Sequence, residues 1–261
     1  MDRSAIDKIA QTAEDKLLLA KLWDKIQQGI RKNILAYTCF LSPRELQLAE
    51  YLFGACDGLH RFGGYSDAER QMLIYLPDYL ESECLFYEDS PVICLRASFY
   101  QEDHLTHRDF LGALIGAGIT RESVGDILVS NGTCDFFVTP QVAPFLLQNF
   151  ESAGRTKVKL ERIPLSQVSP PEPKLTEIRD TVASVRLDSI VSSGFRISRA
   201  HACDAIAAGR VAIDGVPCQK PDRILTEGCK IACRGSGKIR LTQIGHKTKK
   251  DRISVIIHRY E

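Results

Sequence analysis

The residues best placed to do chemistry lie around one predicted helix start in the C-terminal part of the sequence. Ser198 is a residue type that caps helices, and Arg199 and His201 follow it within one turn. The first backbone N–H groups and the dipole of a helix favour a phosphate at that place, and Arg199 would complete such a site. The spacing therefore predicts phosphate binding by a basic surface.

Two other clusters are typical of metal sites, and each has a simpler explanation. His104, His107 and Asp109 lie close together, but no complete set of zinc ligands accompanies them, and a helix start with Asp109 in its first turn explains the pattern. Cys229 and Cys233 flank a predicted strand, and the sequence has no Cys-x-x-Cys pair. Glycine-rich nucleotide loops and serine nucleophile elbows are also missing. We predict no catalytic residue, no metal and no cofactor.

Charge is divided unevenly along the chain, although the net charge is only +1. Residues 174–261 hold 17 Lys plus Arg against 9 Asp plus Glu, whereas residues 1–173 hold 17 against 24. A basic third joined to an acidic two-thirds indicates that the C-terminal part meets a polyanion.

The composition, with 44% apolar residues, is that of a folded globular protein. No apolar run approaches the roughly 20 residues of a membrane-spanning helix, and the charged start has no apolar core like that of a signal peptide. The nine cysteines are scattered, mostly in apolar strings, which favours buried reduced thiols over disulfides. We therefore expect a soluble, unexported, cytoplasmic protein that is monomeric by default.

The elements that would position the basic residues follow from periodicity and turn signals. Three prolines at 169–174 predict a semi-rigid linker. Upstream, apolar periodicity predicts one helix over residues 5–35, and the capping pattern at 42–45 predicts a second helix through Phe53. The string at 63–70 is typical of a glycine turn followed by a helix start, with Ser66 as the cap.

Strand-like and helix-like segments alternate between residues 84 and 163, which predicts a compact α/β domain with a mostly antiparallel sheet. The predicted strands are 84–88, 92–100, 126–130, 134–139 and 158–165, with helices near 107–116 and 140–152. After the linker we predict helices near 186–193 and 198–208. Short strands follow at 211–214, 230–235, 238–245 and 253–260, and Asp214-Gly215 predicts a hairpin turn.

The basic segment resembles the S4-type RNA-binding domain, in the strings RLDSIV at 186–191, ISRAHA at 197–202, GRVAIDG at 209–215 and the pair Lys220-Pro221. The resemblance implies that the second helix and the following turn contact RNA backbone. A-form RNA hides its base edges, so such a surface recognises shape and phosphate spacing. The predicted RNA-binding residues are Arg186, Arg196, Ser198, Arg199, His201, Arg210, Lys220, Arg234 and Lys238.

Arg186-Leu187-Asp188 permits a second interpretation, because pseudouridine synthases carry their catalytic aspartate in a similar string. Here the string opens the first helix of the S4-like segment, and no further catalytic domain follows it in the sequence. We expect Asp188 to cap or pair locally, and we expect the protein not to be an enzyme. An RNA-modifying enzyme with an unrecognised site in residues 84–165 is the remaining enzymatic alternative.

Three further strings, together with the basic segment, are similar to the YlmH family, including its cyanobacterial and plastid branch of photosystem II S4 domain proteins. They are FLSPRE at 40–45, GGYSDAER at 63–70 and the long string from His107 to Ile127. The resemblance spans nearly the whole chain. It implies an α+β fold of three modules: a mainly helical domain at 1–82, an α/β RNA-recognition-like domain at 83–168 and an S4-type domain with C-terminal strands at 174–261.

Arg121 lies at a predicted helix or loop edge of the long string, where it would reach a phosphate or hold the turn together with Asp126. The middle strands offer Phe99, and also Phe136 and Phe137 on opposite faces. The aromatic pair with which RNA-recognition sheets stack bases is therefore missing, and recognition of single strands by the middle domain is not predicted.

These features predict a non-enzymatic protein that docks its basic domain on structured RNA, either ribosomal RNA or tRNA, at the large ribosomal subunit to which the family resemblance points. The acidic modules would then face protein or tRNA. The alternative is a photosystem II assembly or regulatory factor that acts through protein partners, with the basic tail as a solubility or membrane-surface patch. Binding of that kind would be insensitive to ribonuclease.

Overall fold

We obtained a computed structural model of the chain, and this structure describes residues 3–54, 56–87, 90–172, 174–248 and 251–260. The chain divides into two compact units, residues 1–171 and 172–261. Pro173, which belongs to the predicted linker, lies outside the described residues. No helix in the described ranges is long and apolar enough to cross a membrane.

The first unit begins with helices α1 (Ile6–Ile9) and α2 (Ala13–Lys32), so the single helix predicted over 5–35 was wrong. The chain breaks there because Thr12 caps α2. Its hydroxyl accepts from Asp15 N at 3.1 Å, while the Asp15 carboxylate accepts from Thr12 N at 3.1 Å. The next helix, α3 (Pro43–Phe53), is confirmed, and it begins with the predicted capping box.

Asp15 also forms a buried ion pair with Arg44. Both Nη atoms of Arg44 donate to the carboxylate at 2.7 Å, and the Asp15 side chain is 5% exposed. These hydrogen bonds lower the pKa of Asp15 from its ordinary 3.8 to about 2. The pair joins the start of α2 to α3 in the N-terminal core.

The lowered pKa of Asp15 predicts an acid-sensitive first unit. Its stabilising effect is complete above the unfolded pKa and is lost as pH falls through the folded pKa. We expect the free energy of unfolding to drop by about 2 kcal/mol between about pH 5 and pH 2 through this residue. Urea unfolding of the wild type and Asp15→Asn across this range measures the effect, since the difference between the two proteins should shrink as pH falls. A constant difference would contradict the prediction.

Three short strands, β1 (Ala36–Tyr37), β2 (Leu59–Phe62) and β3 (Met72–Tyr75), form an antiparallel sheet in the order β1-β3-β2. The helix start predicted at Ser66 was wrong, because the segment is a loop held by Asp126. The Asp126 carboxylate accepts from the Tyr65 hydroxyl at 2.8 Å and from the backbone N of Glu69 and Arg70 at 2.7 and 3.1 Å.

The middle region of the first unit consists of β4 (Ile93–Ser98), α4 (His107–Gly116), β5 (Val124–Ser130), β6 (Thr133–Val138), α5 (Ala143–Asn149), β7 (Ser152–Ala153), β8 (Thr156–Lys157) and β9 (Lys159–Ile163). Four of its strands form a sheet in the order β5-β6-β4-β9, and the predicted antiparallel pairing is confirmed. Residues 82–86 form a 3-10 helix over part of the strand predicted at 84–88, and the short β7–β8 hairpin was not predicted.

Both faces of this middle sheet are covered. On one face Phe136 packs with Phe110 of α4, and on the other Phe137 packs with Phe40 and Ile74 from the N-terminal region. Phe136 and Phe137 are both 0% exposed. The N-terminal and middle regions therefore share a core across one face of the sheet.

The second unit packs two helices, α6 (Leu187–Phe195) and α7 (Arg199–Ala207), on one six-stranded antiparallel sheet, in the order β10-β15-β14-β13-β11-β12. Its strands are β10 (Leu175–Val182), β11 (Val211–Ile213), β12 (Val216–Pro217), β13 (Lys230–Cys233), β14 (Gly237–Lys247) and β15 (Ile253–Tyr260). The Asp214-Gly215 turn is confirmed, since both residues have positive φ and join β11 to β12. Strands β10 and β12 were not predicted. The predicted α+β class is confirmed.

Candidate RNA interface

Helices α6 and α7 are held on the sheet by a fully buried apolar core. Ile190 and Val191 of α6 and Ile239 of β14 are 0% exposed. Gly194 brings α6 close to the sheet, because a Cβ at that position would lie 2.5 Å from Ile239 Cδ1. The turn between the two helices is thereby fixed on the surface of the unit.

The predicted cap of α7 is confirmed. The Ser198 hydroxyl accepts from His201 N at 3.2 Å, and Ser198 has an extended backbone. Arg199 and His201 are exposed in the first turn that follows. Arg196, two residues before the cap, ends α6 in the left-handed conformation with φ of 54° and is also exposed.

Asp188 lies beneath this surface and pairs with two arginines. The local pairing predicted for Asp188 is therefore confirmed. Nε and Nη2 of Arg199 donate to its Oδ2 at 3.0 and 2.9 Å, and Arg186 Nε lies 3.3 Å from Oδ1. The Asp188 side chain is 3% exposed, whereas that of Arg199 is 57% exposed. A buried carboxylate therefore fixes the orientation of a guanidinium that faces solvent.

The segment after β12 brings Lys220 to the start of α6, where Asp188 lies. Pro221 O accepts from Asp188 N at 3.0 Å, and Arg223 O accepts from Leu187 N at 2.8 Å, so this segment runs along the start of α6. Lys220 is exposed beside it. Six of the predicted residues thus lie at the start of α6 or between α6 and the first turn of α7, and we call them the helix-turn surface: Arg186, Arg196, Ser198, Arg199, His201 and Lys220.

Three other predicted residues, Arg210, Arg234 and Lys238, lie away from Arg199. Arg210 follows the C-terminal end of α7, about 14 Å of helix from Arg199, and its carbonyl accepts from Arg234 N at 2.9 Å. Lys238 precedes Ile239 on β14, and Ile239 is buried against the helices, so Lys238 faces the opposite side of the sheet. Arg240, which the sequence analysis missed, faces that side too. The alternation of basic residues with apolar Ile239 was the signal that could have found it.

Arg121, in the first unit, is half-buried and bonded to its own turn. Its Nη1 donates to Val124 O at 2.6 Å and Gly125 O at 3.1 Å. Burial, reinforced by the nearby charge of Arg70, lowers the pKa of Arg121 to about 10. Arg121 thus stabilises the turn through backbone carbonyls, whereas the carboxylate of Asp126 is bonded to the loop at 65–70.

The middle sheet presents no exposed aromatic side chain on β4, β5, β6 or β9, all of which lie in the described ranges. Phe99, just after β4, is partly buried against the core. Among the described residues, no group of three or more His, Cys, Asp or Glu side chains is arranged to hold a metal ion. The nine cysteines are all free thiols, and burial raises the pKa of Cys94 and Cys134.

Two family models match separate parts of the chain. One, described as "Putative RNA-binding domain in YlmH", matches residues 98–167, and the S4 domain matches residues 185–231. Ribosome-associated protein quality control protein P2 of Bacillus subtilis (strain 168) is 34% identical over 238 residues, which are 91% of each chain. The chain belongs to the YlmH family.

A solved structure of cell division protein ylmH from Streptococcus pneumoniae is 21% identical, covers 61% of this chain and 98% of that chain, and has a TM-score of 0.49. In this YlmH-family chain the S4 match includes α6, α7, β11 and β12, together with the whole helix-turn surface. Strands β10, β14 and β15 lie outside that match. The predicted YlmH resemblance is confirmed at the level of the family.

Proposed function

We propose that this YlmH-family protein docks its second unit on structured RNA, either ribosomal RNA or tRNA, at the large ribosomal subunit, as a non-enzymatic factor in ribosome-associated quality control. The observation that carries the proposal is the exposed Arg199 guanidinium, held by buried Asp188 beside Lys220 at a capped helix start. The printed name of the Bacillus subtilis relative supports the ribosomal context.

The charge and shape of the helix-turn surface suit duplex RNA. Arg186, Arg196, Arg199 and Lys220 supply positive charge along α6 and the start of α7, and A-form RNA presents phosphates at fixed spacing while hiding its base edges. The excess of basic residues in 174–261 points the same way. Arg210, Arg234 and Lys238 would contact RNA elsewhere, because each lies away from Arg199. Arg121 belongs to the first unit, where its guanidinium group is bonded to its own turn.

A salt titration tests this surface. Replacing Arg199 and Lys220 by alanine is expected to weaken binding of a labelled RNA hairpin whatever its sequence, and to reduce the slope of log affinity against log salt concentration by about one unit per lost contact. The matched control is Lys16→Ala with Arg61→Ala, which removes the same charge from exposed positions of the first unit. A slope in the Arg199 and Lys220 variant equal to that of the control would count against the proposal.

Crosslinking in cells identifies the RNA. We expect ultraviolet crosslinking and sequencing to give discrete sites in large-subunit ribosomal RNA or tRNA, and these sites should vanish in the Arg199→Ala, Lys220→Ala variant. Diffuse crosslinks that are unchanged in the variant would leave the second unit as a non-specific basic patch.

Several finer assignments stay proposals. If the protein belongs to the photosystem II branch and acts through protein partners, its association with those partners should survive ribonuclease treatment. If it docks on the ribosome through RNA, its association with ribosomes should be lost on that treatment. The division into modules at 1–82, 83–168 and 174–261, a cytoplasmic location and a monomeric state belong with the ribosomal proposal.

A further inference from the structure

The second unit also has a basic cavity of about 430 Å³, which shares Arg196 and Arg199 with the helix-turn surface. It lies between the C-terminal end of α6, strand β10 and the residue that precedes β15. Its charged and hydroxyl lining includes Asp180, Ser192, Ser193, Arg196, Arg199 and Arg252. Three guanidinium groups therefore border one concave site.

Each of these guanidinium groups has N–H donors that the described residues do not use. Arg199 bonds Asp188 through Nε and Nη2 only. Arg252 donates from Nε to Thr181 Oγ1 at 3.0 Å and from Nη2 to Thr181 O, which leaves Nη1. The Arg196 side chain has no hydrogen bond or ion pair with the described part of the chain.

One carboxylate also lines the cavity, and each of its oxygen atoms already accepts a hydrogen bond. Asp180 accepts from Ser193 Oγ and from Thr181 N, both at 2.7 Å. The hydroxyl of Ser192 donates to Ile197 O at 2.7 Å. Together with buried Asp188, which pairs with Arg199, the three cations meet two anions, so the cavity is net positive and favours an anion over a cation or a neutral ligand.

We propose that this cavity binds a backbone phosphate of the RNA, with Arg252 as a binding residue outside the matched S4 segment. This inference rests on the proposed function. Planar guanidinium groups match the geometry of phosphate oxygens, and a volume of about 430 Å³ accommodates a phosphodiester with part of its neighbouring sugar. The RNA site then extends from the helix-turn surface across to strands β10 and β15.

The test compares two variants of the full chain in binding to a labelled RNA hairpin. Arg196→Gln with Arg252→Gln should weaken binding about ten-fold or more and reduce the salt slope by about one unit per lost contact. The matched control is Arg179→Gln. Arg179 lies on β10 one residue before Asp180, but it faces the other side of the strand and pairs there with exposed Glu177. The proposal requires a loss per removed charge that exceeds the loss in the control.

A structural role of Arg252 is separated from binding in two ways. Arg196→Gln alone removes a guanidinium group without hydrogen bonds or ion pairs to the described residues, so a loss of affinity at unchanged Tm reports binding. Arg252→Lys keeps the charge but loses the planar fork, and the Tm of each variant reports its folding. If Arg196→Gln and Arg252→Lys both bind like the wild type, the proposal is overturned.

Further outcomes distinguish RNA from a free oxyanion as the ligand, and a failure of the cavity proposal from a failure of the proposed function. If inorganic phosphate raises the Tm of the wild type but not of the double variant, while RNA affinity is equal in both, the cavity binds a free oxyanion and the RNA assignment is overturned. If the Arg199 and Lys220 variant loses RNA binding but the Arg196 and Arg252 variant does not, the proposed function stands and this inference fails. If the wild type binds no structured RNA, both fail.

Discussion

Replacing Phe137 by alanine is expected to lower the free energy of unfolding of the first unit by about 3–5 kcal/mol, the range for a fully buried phenylalanine. Phe137 is 0% exposed, and its ring stacks on Tyr65 with centroids 5.3 Å apart. It packs with Phe40 in the core that joins the N-terminal region to the middle sheet. Urea unfolding followed by fluorescence of Trp23, the single tryptophan of the chain, measures the loss.

The matched control is Phe145→Ala, because Phe145 lies on α5 of the same unit and is 45% exposed. It should cost about 1 kcal/mol or less. If Phe137→Ala cost no more stability than Phe145→Ala, the core shared by the N-terminal region and the middle sheet would be contradicted.

Replacing Asp188 by alanine is the second change with a large expected effect. Removing one partner of a buried ion pair costs about 3–5 kcal/mol, and the partial exposure of Arg186 and Arg199 reduces our expectation to about 2–3 kcal/mol. Hydrogen exchange of peptides from α6 and α7 measures the loss. The control Glu177→Ala removes an exposed carboxylate that pairs with Arg179, and it should cost far less stability than Asp188→Ala, because exposed ion pairs contribute little.

The same variant also tests how Asp188 acts on RNA binding, since two explanations predict opposite signs. Charge alone predicts tighter binding, because a negative group is removed from a basic surface. If Asp188 orients Arg199, the affinity falls instead, even under conditions where the variant is fully folded. Tighter binding by folded Asp188→Ala would refute the orienting role.

Local signals in the sequence were enough to predict the caps at Ser42 and Ser198 and the turn at Asp214-Gly215, because each depends on residues within a few positions. One error arose where a distant residue decides. The string at 63–70 has the spacing of a capped helix, yet the backbone N–H groups of Glu69 and Arg70 bond to Asp126 in strand β5. A second error was local, because the capping pair of Thr12 and Asp15 starts α2 within a continuous apolar period.

The part of the candidate site that lies in contiguous motifs was also predictable from the sequence. The residues of the helix-turn surface lie in contiguous motifs, so resemblance and capping rules brought most of them together. Arg252 gave no such signal, because its place beside Arg199 depends on β15 pairing with β10, a strand that was not predicted. The S4 resemblance groups Lys238 with Arg199, and only the alternation along β14 separates them.

The ion pair beneath Arg199 also affects the entropy of binding. A long basic side chain loses about 0.5–1.5 kcal/mol of rotamer freedom when it is immobilised at an interface. Arg199 has already lost much of that freedom on folding, because Asp188 holds two of its nitrogen atoms. Lys220 is exposed, and its ammonium group has no ion pair within the described residues, so it loses this freedom only when RNA arrives. Arg199 should therefore contribute more affinity per phosphate contact than Lys220 does.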